Sequence, residues 1–192
     1  MTKRILLIIF LVLGVCVRNF AQNKHSFSVK AGINFTGFHT GSSTYTGEFG
    51  VNAGILYEYR LSSFISLQPE MVFSQKGGEY KTPGNEWYVY ATSKLNYIDI
   101  PLMVKIKILE NINFQVGPQI GLLLSGKTEY EGKEIGTETN FLDFAVNGGF
   151  GFDVFQKFFI QTRYSYGLSE LFKDKNYKNS VISLSVGYKF MR

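Results

Sequence analysis

The chain of 192 residues has the length of one domain, and its 45% hydrophobic composition excludes a helical membrane protein. Phe 18 and Tyr 12 stand against a single Trp, with Gly 20 and no collagen-like period, which is a composition suited to strands. The formal net charge is +5, but no basic stripe is present, so nucleic acid is excluded as a partner.

The first 21 residues read as a cleavable signal peptide. "MTKR" is a basic start, "ILLIIFLVLGVCV" is an apolar run too short to cross a bilayer as a helix, and "RNFAQ" follows. Cleavage is expected after Ala21, giving a domain at 22–192. Removing Lys3, Arg4 and Arg18 from the 20 Lys+Arg leaves 17 against 15 Asp+Glu, so the excess of positive charge belongs largely to the leader. Cys16, the sole cysteine, lies inside this segment, and Val15 before it does not suit a lipid-modified cysteine. The domain then has neither a disulfide nor a thiolate site.

Beyond residue 25, apolar and polar residues alternate with period two. "FSVKAGINF" sets Phe27, Val29, Ala31, Ile33 and Phe35 against Ser28, Lys30, Gly32 and Asn34. "FGVNAGILYEYRL", "ISLQPEMVFSQ", "YIDIPLMVKIK", "INFQVGPQIGLLL", "FLDFAVNGGFGFDV", "FIQTRYSYGL" and "SVISLSVGYKFMR" complete eight segments. Pro69, Pro101 and Pro118 fall within them, and local bulges or rim positions are expected there.

The connections alternate in length. Tight turns surround "LSS", "LEN" and "FQK", while "TGFHTGSSTYTG", "KGGEYKTPGNEWYVYATS", "SGKTEYEGKEIGTETN" and "SELFKDKNYKN" are long and polar. This is the asymmetry of outer-membrane barrels, with short periplasmic turns and long extracellular loops. The fold expected is all-β: an eight-stranded antiparallel up-and-down transmembrane β-barrel in the outer membrane, with both termini periplasmic. Phe, Tyr, Ile, Leu and Val face lipid, with Tyr57, Tyr59, Tyr164, Tyr166, Tyr188 and Phe190 suited to the membrane boundaries. Small polar residues face inward together with the charges of Lys30, Glu58, Arg60, Glu70, Asp99, Lys105, Asp153, Arg163 and Lys189. A salt-bridged plug is the plainer reading of these charges, and a thin ion path the sharper one.

The segments "LNYIDIPLMVKI", "VGPQIGLLLSG", "GGFGFDV", "RYSYGLS" and "ISLSVGYKF", in this order and spacing, resemble the PorT-like outer-membrane β-barrel family of Gram-negative bacteria. The resemblance spans about residues 25–190 and includes Pro101 and Pro118. It implies an eight-stranded barrel of the cell envelope and a possible link to protein secretion, the role associated with the family's name-giving member. Met191 and Arg192 depart from the terminal aromatic residue by which barrel-assembly machinery recognises such chains.

No catalytic, cofactor or metal site is expected. His39 stands beside Ser42 and Ser43 without a visible third group, and a solvated loop histidine is the plainer reading. Glu129, Glu131, Glu134 and Glu138 are interleaved with Lys127 and Lys133 and lack a calcium-loop spacing. Trp87, Tyr88 and Tyr90 are contact candidates in the second long connection, unless the fourth strand simply continues through them as a ribbon. The expected partners are outer-membrane lipid and lipopolysaccharide, the barrel-assembly machinery, and envelope or secretion proteins. Two other readings stay open: a soluble secreted lipocalin-like ligand-binding barrel with the faces inverted, and a barrel enzyme using His39.

Overall fold

The computed structural model describes residues 24–40, 43–83, 88–130, 133–135, 140–155, 157–171 and 177–190. The leader expected at 1–21 and Trp87 lie outside them. The strands are β1 (His25–Thr40), β2 (Ser43–Arg60), β3 (Ile65–Pro83), β4 (Tyr88–Lys107), β5 (Ile112–Tyr130), β6 (Lys133–Ile135), β7 (Leu142–Val154), β8 (Phe158–Gly167) and β9 (Lys178–Lys189). Every pairing is antiparallel; neighbours in sequence pair except that β5 pairs with β7 past β6, β9 pairs with β1, and the β4–β5 ladder completes the ring. β6 is a short addition to the end of β5, so the wall is an eight-stranded closed barrel. Closure leaves no strand edge to be desolvated in hydrocarbon.

Alternation decides which face is which. Along β9, Val181, Ser185 and Lys189 are buried inside, while Ile182, Leu184, Val186 and Phe190 are exposed outside. The same parity puts Ile33 and Phe35 of β1, Val51 and Ile55 of β2, and Ile100, Leu102 and Val104 of β4 on the outer surface. So broad an apolar exterior suits lipid, not water. The lipocalin-like alternative needs the opposite arrangement and is overturned. Rings cluster at the end with the short turns, where Phe27, Tyr188 and Phe190 lie within 6.0 Å of one another in succession.

The short turns lie where expected, after β2, β4 and β7. Ser62 Oγ accepts from the Ile65 amide, and Phe155 takes the left-handed conformation at φ 47°. At the opposite end, the polar connections are largely strand. β1 and β2 stay paired to Thr40↔Ser43, and β3 and β4 to Pro83↔Tyr88. Polar residues form a ladder there because each hairpin partner satisfies the other's backbone, and outside lipid no apolar face is required. β4 has 20 residues; at about 3.3 Å per residue and about 40° of tilt it spans roughly 50 Å, twice the apolar band of about 25 Å.

The three prolines do not make bulges. β3, β4 and β5 run through Pro69, Pro101 and Pro118, and the register is the same on either side of each. Pairing lapses opposite Pro69 on β2, opposite Pro101 on β3 and opposite Pro118 on β4, then resumes. Loss of one N–H weakens only the ladder on one side, because an antiparallel residue directs both backbone groups at the same neighbour. The register shifts fall instead at Thr36/Phe38 and Asn96/Tyr97.

Candidate functional site

The lumen is filled by polar side chains in layers. In the middle, Glu70 of β3 takes a bidentate pair from Arg163 of β8 at 2.9 and 2.6 Å, and the Lys30 ammonium of β1 at 2.7 Å. Gln68 donates to the same carboxylate, and Gln115 and Gln161 accept from Arg163 and Lys30. All three charged groups are buried, so their hydrogen bonds offset a large desolvation cost.

Toward the ribbon end, Lys76 of β3 bridges Asp99 of β4 and Asp143 of β7 at 2.8 and 3.0 Å and lies 4.5 Å from the centre of the Tyr97 ring. Asn179 and Ser169 donate to Asp143. Above this layer Phe38, Leu95, Tyr97 and Leu171 form an apolar cap, with Leu123 and Tyr177 packed against it. Leu171 is held over the barrel by its amide donating to Tyr177 O at 2.8 Å and its carbonyl accepting from Asn140 N at 2.9 Å.

Toward the short-turn end, Lys105 pairs with Glu58 at 2.9 Å and Lys189 with Asp153 at 2.7 Å. They form the floor of an open vestibule of about 370 Å³, also lined by Arg60, Lys107 and Glu110. The voids beyond it measure about 10 and 30 Å³, room for isolated waters. Lys30, Lys76, Lys105, Arg163 and Lys189 face Glu58, Glu70, Asp99, Asp143 and Asp153, so the paired charges of the lumen cancel. The charged side chains of the lumen are thus held in pairs by hydrogen bonds across the barrel.

Of the charges assigned inward from sequence, Lys30, Glu70, Asp99, Arg163 and Lys189 are buried, and Glu58, Lys105 and Asp153 are half-buried in the lower layer. Arg60, the last residue of β2 and paired with Ser66 of β3, lines the mouth of the vestibule beside these groups and is exposed there. Lys76 and Asp143 were missed. Lys76 follows Ser74 with inward parity just past the third apolar segment, and Asp143 precedes Ala145 and Asn147 with the same parity inside the sixth, so period two marks both as inward.

Among the other candidates, Tyr88 and Tyr90 belong to β4, paired with Pro83 and Lys81 of β3. The ribbon reading of that stretch therefore describes its backbone. His39 stacks on Tyr166 with ring centroids 4.4 Å apart, and neither ring nitrogen has a hydrogen-bond partner among the described residues. Burial of the ring and the nearby Lys178 ammonium hold its pKa below the usual imidazole range. Ser42, Glu131 and Glu138 lie outside the described residues. Among the described residues no cluster of three metal-ligating side chains forms.

Solved structures share this architecture. Neisserial surface protein A is 18% identical and matches over 85% of this chain and 97% of its own, with a TM-score of 0.61. Ail, the attachment invasion locus protein of Yersinia pestis, is 17% identical over 87% of this chain and 99% of its own, at a TM-score of 0.54. Ail in complex with the heparin analogue sucrose octasulfate is 16% identical over 87% of this chain and 99% of its own, at a TM-score of 0.52. At these identities the likeness is one of fold. No curated protein matches the sequence significantly. The sequence pattern of the outer membrane protein beta-barrel domain matches residues 20–173, and the chain belongs to that family.

Proposed function

We propose that this small outer-membrane barrel is a non-enzymatic, non-conducting envelope protein that binds partners through the ribbons at one end. The observation that carries this reading is the contrast between the two parts of the molecule. The lumen is packed with paired charge and capped by Leu171, whereas β1–β2, β3–β4 and β5–β6 continue as hairpins past the apolar belt. A barrel of eight strands has little room inside, so its exposed extensions are the surface available for recognition.

In this reading the ribbon end is extracellular, both termini are periplasmic, and residues 1–21 are removed on export. The alternation of short turns with long hairpins supports that orientation. Ail carries attachment in its name and has been solved in complex with the heparin analogue sucrose octasulfate, which supports a binding role for a barrel of this fold. The segments "LNYIDIPLMVKI" and "GGFGFDV" favour a PorT-like relative, and with it an accessory role in protein secretion.

The test pairs two measurements. Planar-bilayer recording of the purified barrel is expected to give no unit conductance. Photo-crosslinking amino acids at Glu129 and Glu170, introduced in cells, are expected to capture the same envelope protein repeatedly, while one at Leu184 captures none. Steady conductance, or absence of adducts from both positions at the ribbon end, overturns the proposal.

A further inference from the structure

The vestibule at the short-turn end is lined by inward residues of strands from all round the ring. Arg60 of β2, Ser66 of β3 and Lys105 of β4 stand in one cross-strand row, and Lys107 pairs with Asn113 of β5. Across the barrel β7 and β9 contribute Asp153 and Lys189, and β1 contributes Ser26, in register with Glu58. Glu58 and Lys105 touch across β3 at 2.9 Å. Arg60 and Lys107 lie two residues farther along the same two strands, so they flank the same gap one layer nearer the mouth. The cavity of about 370 Å³ has the size of a small-molecule site, for which about 300–1,000 Å³ is usual.

Its charged groups are of two kinds. Glu58–Lys105 and Asp153–Lys189 are closed pairs, each neutral as a unit. Arg60, Lys107 and Glu110 are exposed at the mouth and make no ion pair with any described residue. Two cations against one carboxylate leave the mouth with one positive charge in excess, which favours an anionic group there. Within the wall the demand is for neutral hydrogen bonds. Ser26 is 9% exposed, and its Oγ has no hydrogen-bond partner among the described residues. Asp153 Oδ1, the oxygen that Lys189 leaves free, is also buried and unpartnered among them. An ammonium group brought to Asp153 also meets Lys189, whereas a hydroxyl donates to the free oxygen and disturbs no pair. Phe64, 55% exposed on the β2–β3 turn, adds an aromatic face to the lining.

We infer that the vestibule binds a small acidic saccharide, its carboxylate or phosphate between Arg60 and Lys107 and its hydroxyls on Ser26 and Asp153. Several neutral hydroxyls, one anion and a C–H face for the Phe64 ring are what the lining accepts together. Lys189 opposes a cationic ligand, and an acyl chain would leave Ser26 and Asp153 covered without hydrogen bonds. The site is independent of the ribbon-end reading; in the orientation proposed above it opens on the periplasm.

The experiment titrates the folded barrel in detergent by ligand-observed NMR. The probes are N-acetylmuramic acid, glucose 6-phosphate, the neutral N-acetylglucosamine, acetate and inorganic phosphate. At least one acidic sugar is expected to bind about tenfold more tightly than N-acetylglucosamine. Preference for the carboxylate sugar assigns the ligand to the cell-wall glycan, and preference for the other to a sugar phosphate; either result supports the site. Arg60→Gln/Lys107→Gln is expected to abolish the difference between acidic and neutral sugars, and Phe64→Ala to weaken all of them. Folded gel mobility is expected to persist in both variants, because all three positions are exposed. Ser26→Ala is expected to weaken the acidic and neutral sugars alike. The site is overturned if neither acidic sugar binds, if the neutral sugar binds equally, or if Arg60→Gln/Lys107→Gln has no effect. Displacement of the acidic sugar by equimolar acetate or inorganic phosphate also overturns it, since an anion alone would then suffice.

Discussion

Asp99 on β4 and Asp143 on β7 are both in register with Gly121 of β5, and one ammonium, that of Lys76, serves them both. Gly121 makes this geometry possible. A Cβ there would stand 2.7 Å from Asp99 Oδ1 and 3.3 Å from Asp143 Cβ, filling the space the two carboxylates share. The layer carries one negative charge in excess, and the Lys30–Glu70–Arg163 layer below it one positive charge. Adjacent layers of opposite sign lower the cost of burying each.

Replacing Lys76 by Met leaves two carboxylates buried without a cation. Removing one partner of a buried ionic group costs about 3–5 kcal/mol. Urea unfolding in lipid vesicles, followed by gel mobility, is expected to show a loss of this size for Lys76→Met. Asp143→Asn, which keeps an acceptor for Asn179 and Ser169, is expected to cost less. Equal stability of Lys76→Met and the parent removes the shared-ammonium layer as a structural element.

The lipid-facing assignment gives a second prediction, on adjacent residues of one strand. Leu184 points out of β9 and Ser185 points in, where it donates to Asn52 Oδ1 at 2.8 Å. Leu184→Arg is expected to lose about 2–4 kcal/mol, as for a cation near the bilayer midplane. Ser185→Ala removes one neutral hydrogen bond, for a loss of about 1 kcal/mol. A reversed order in vesicle unfolding contradicts the placement of the two faces.

Much of this was readable from period two alone, because one residue of shift moves every side chain to the other face. Lys30, Glu70, Asp99 and Arg163 follow from that parity and are buried in the lumen. The strand limits are less legible: Lys76 reads as part of a polar connection because apolar alternation fades past Phe73. A strand that leaves the bilayer keeps its ladder and loses only its need for an apolar face, so hydropathy marks the membrane and not the end of the sheet. The ladder between β2 and β3 ends at Asn52↔Ser74 although both strands continue, and only Gly50, packed against the Gln75 carbonyl, marks this in the sequence; the folding of Leu171 over the lumen has no mark at all.

The cap gives a third prediction. Leu171 is fully buried though it belongs to a polar connection, and its two backbone hydrogen bonds tie it to Tyr177 and Asn140. Leu171→Ala is expected to cost about 2–5 kcal/mol of local stability if the space does not collapse. Hydrogen exchange resolves this from global unfolding: the Leu171 amide is expected to lose protection while those of β9 keep theirs. Uniform loss across the barrel means the cap and wall unfold as one unit.

The last prediction concerns Gly187, paired across β8–β9 with Phe159, whose ring folds inward over it. A Cβ on Gly187 would lie 2.1 Å from Phe159 Cζ and 2.6 Å from the carbonyl oxygen of Val29 on the other neighbouring strand. Gly187→Ala therefore meets two obstacles of different kinds. The ring tip can swing aside, at the expense of its contact with the Lys189 ammonium 5.9 Å from its centre. The Val29 carbonyl belongs to the wall and moves only with β1. Overpacking of this sort costs about 1–3 kcal/mol. In a double-mutant cycle, Phe159→Ala is expected to recover part of the Gly187→Ala loss, with coupling above the few tenths of a kcal/mol seen for independent sites. Full recovery would mean β1 yields freely at Val29, and zero coupling would mean that the ring does not occupy the space above Gly187.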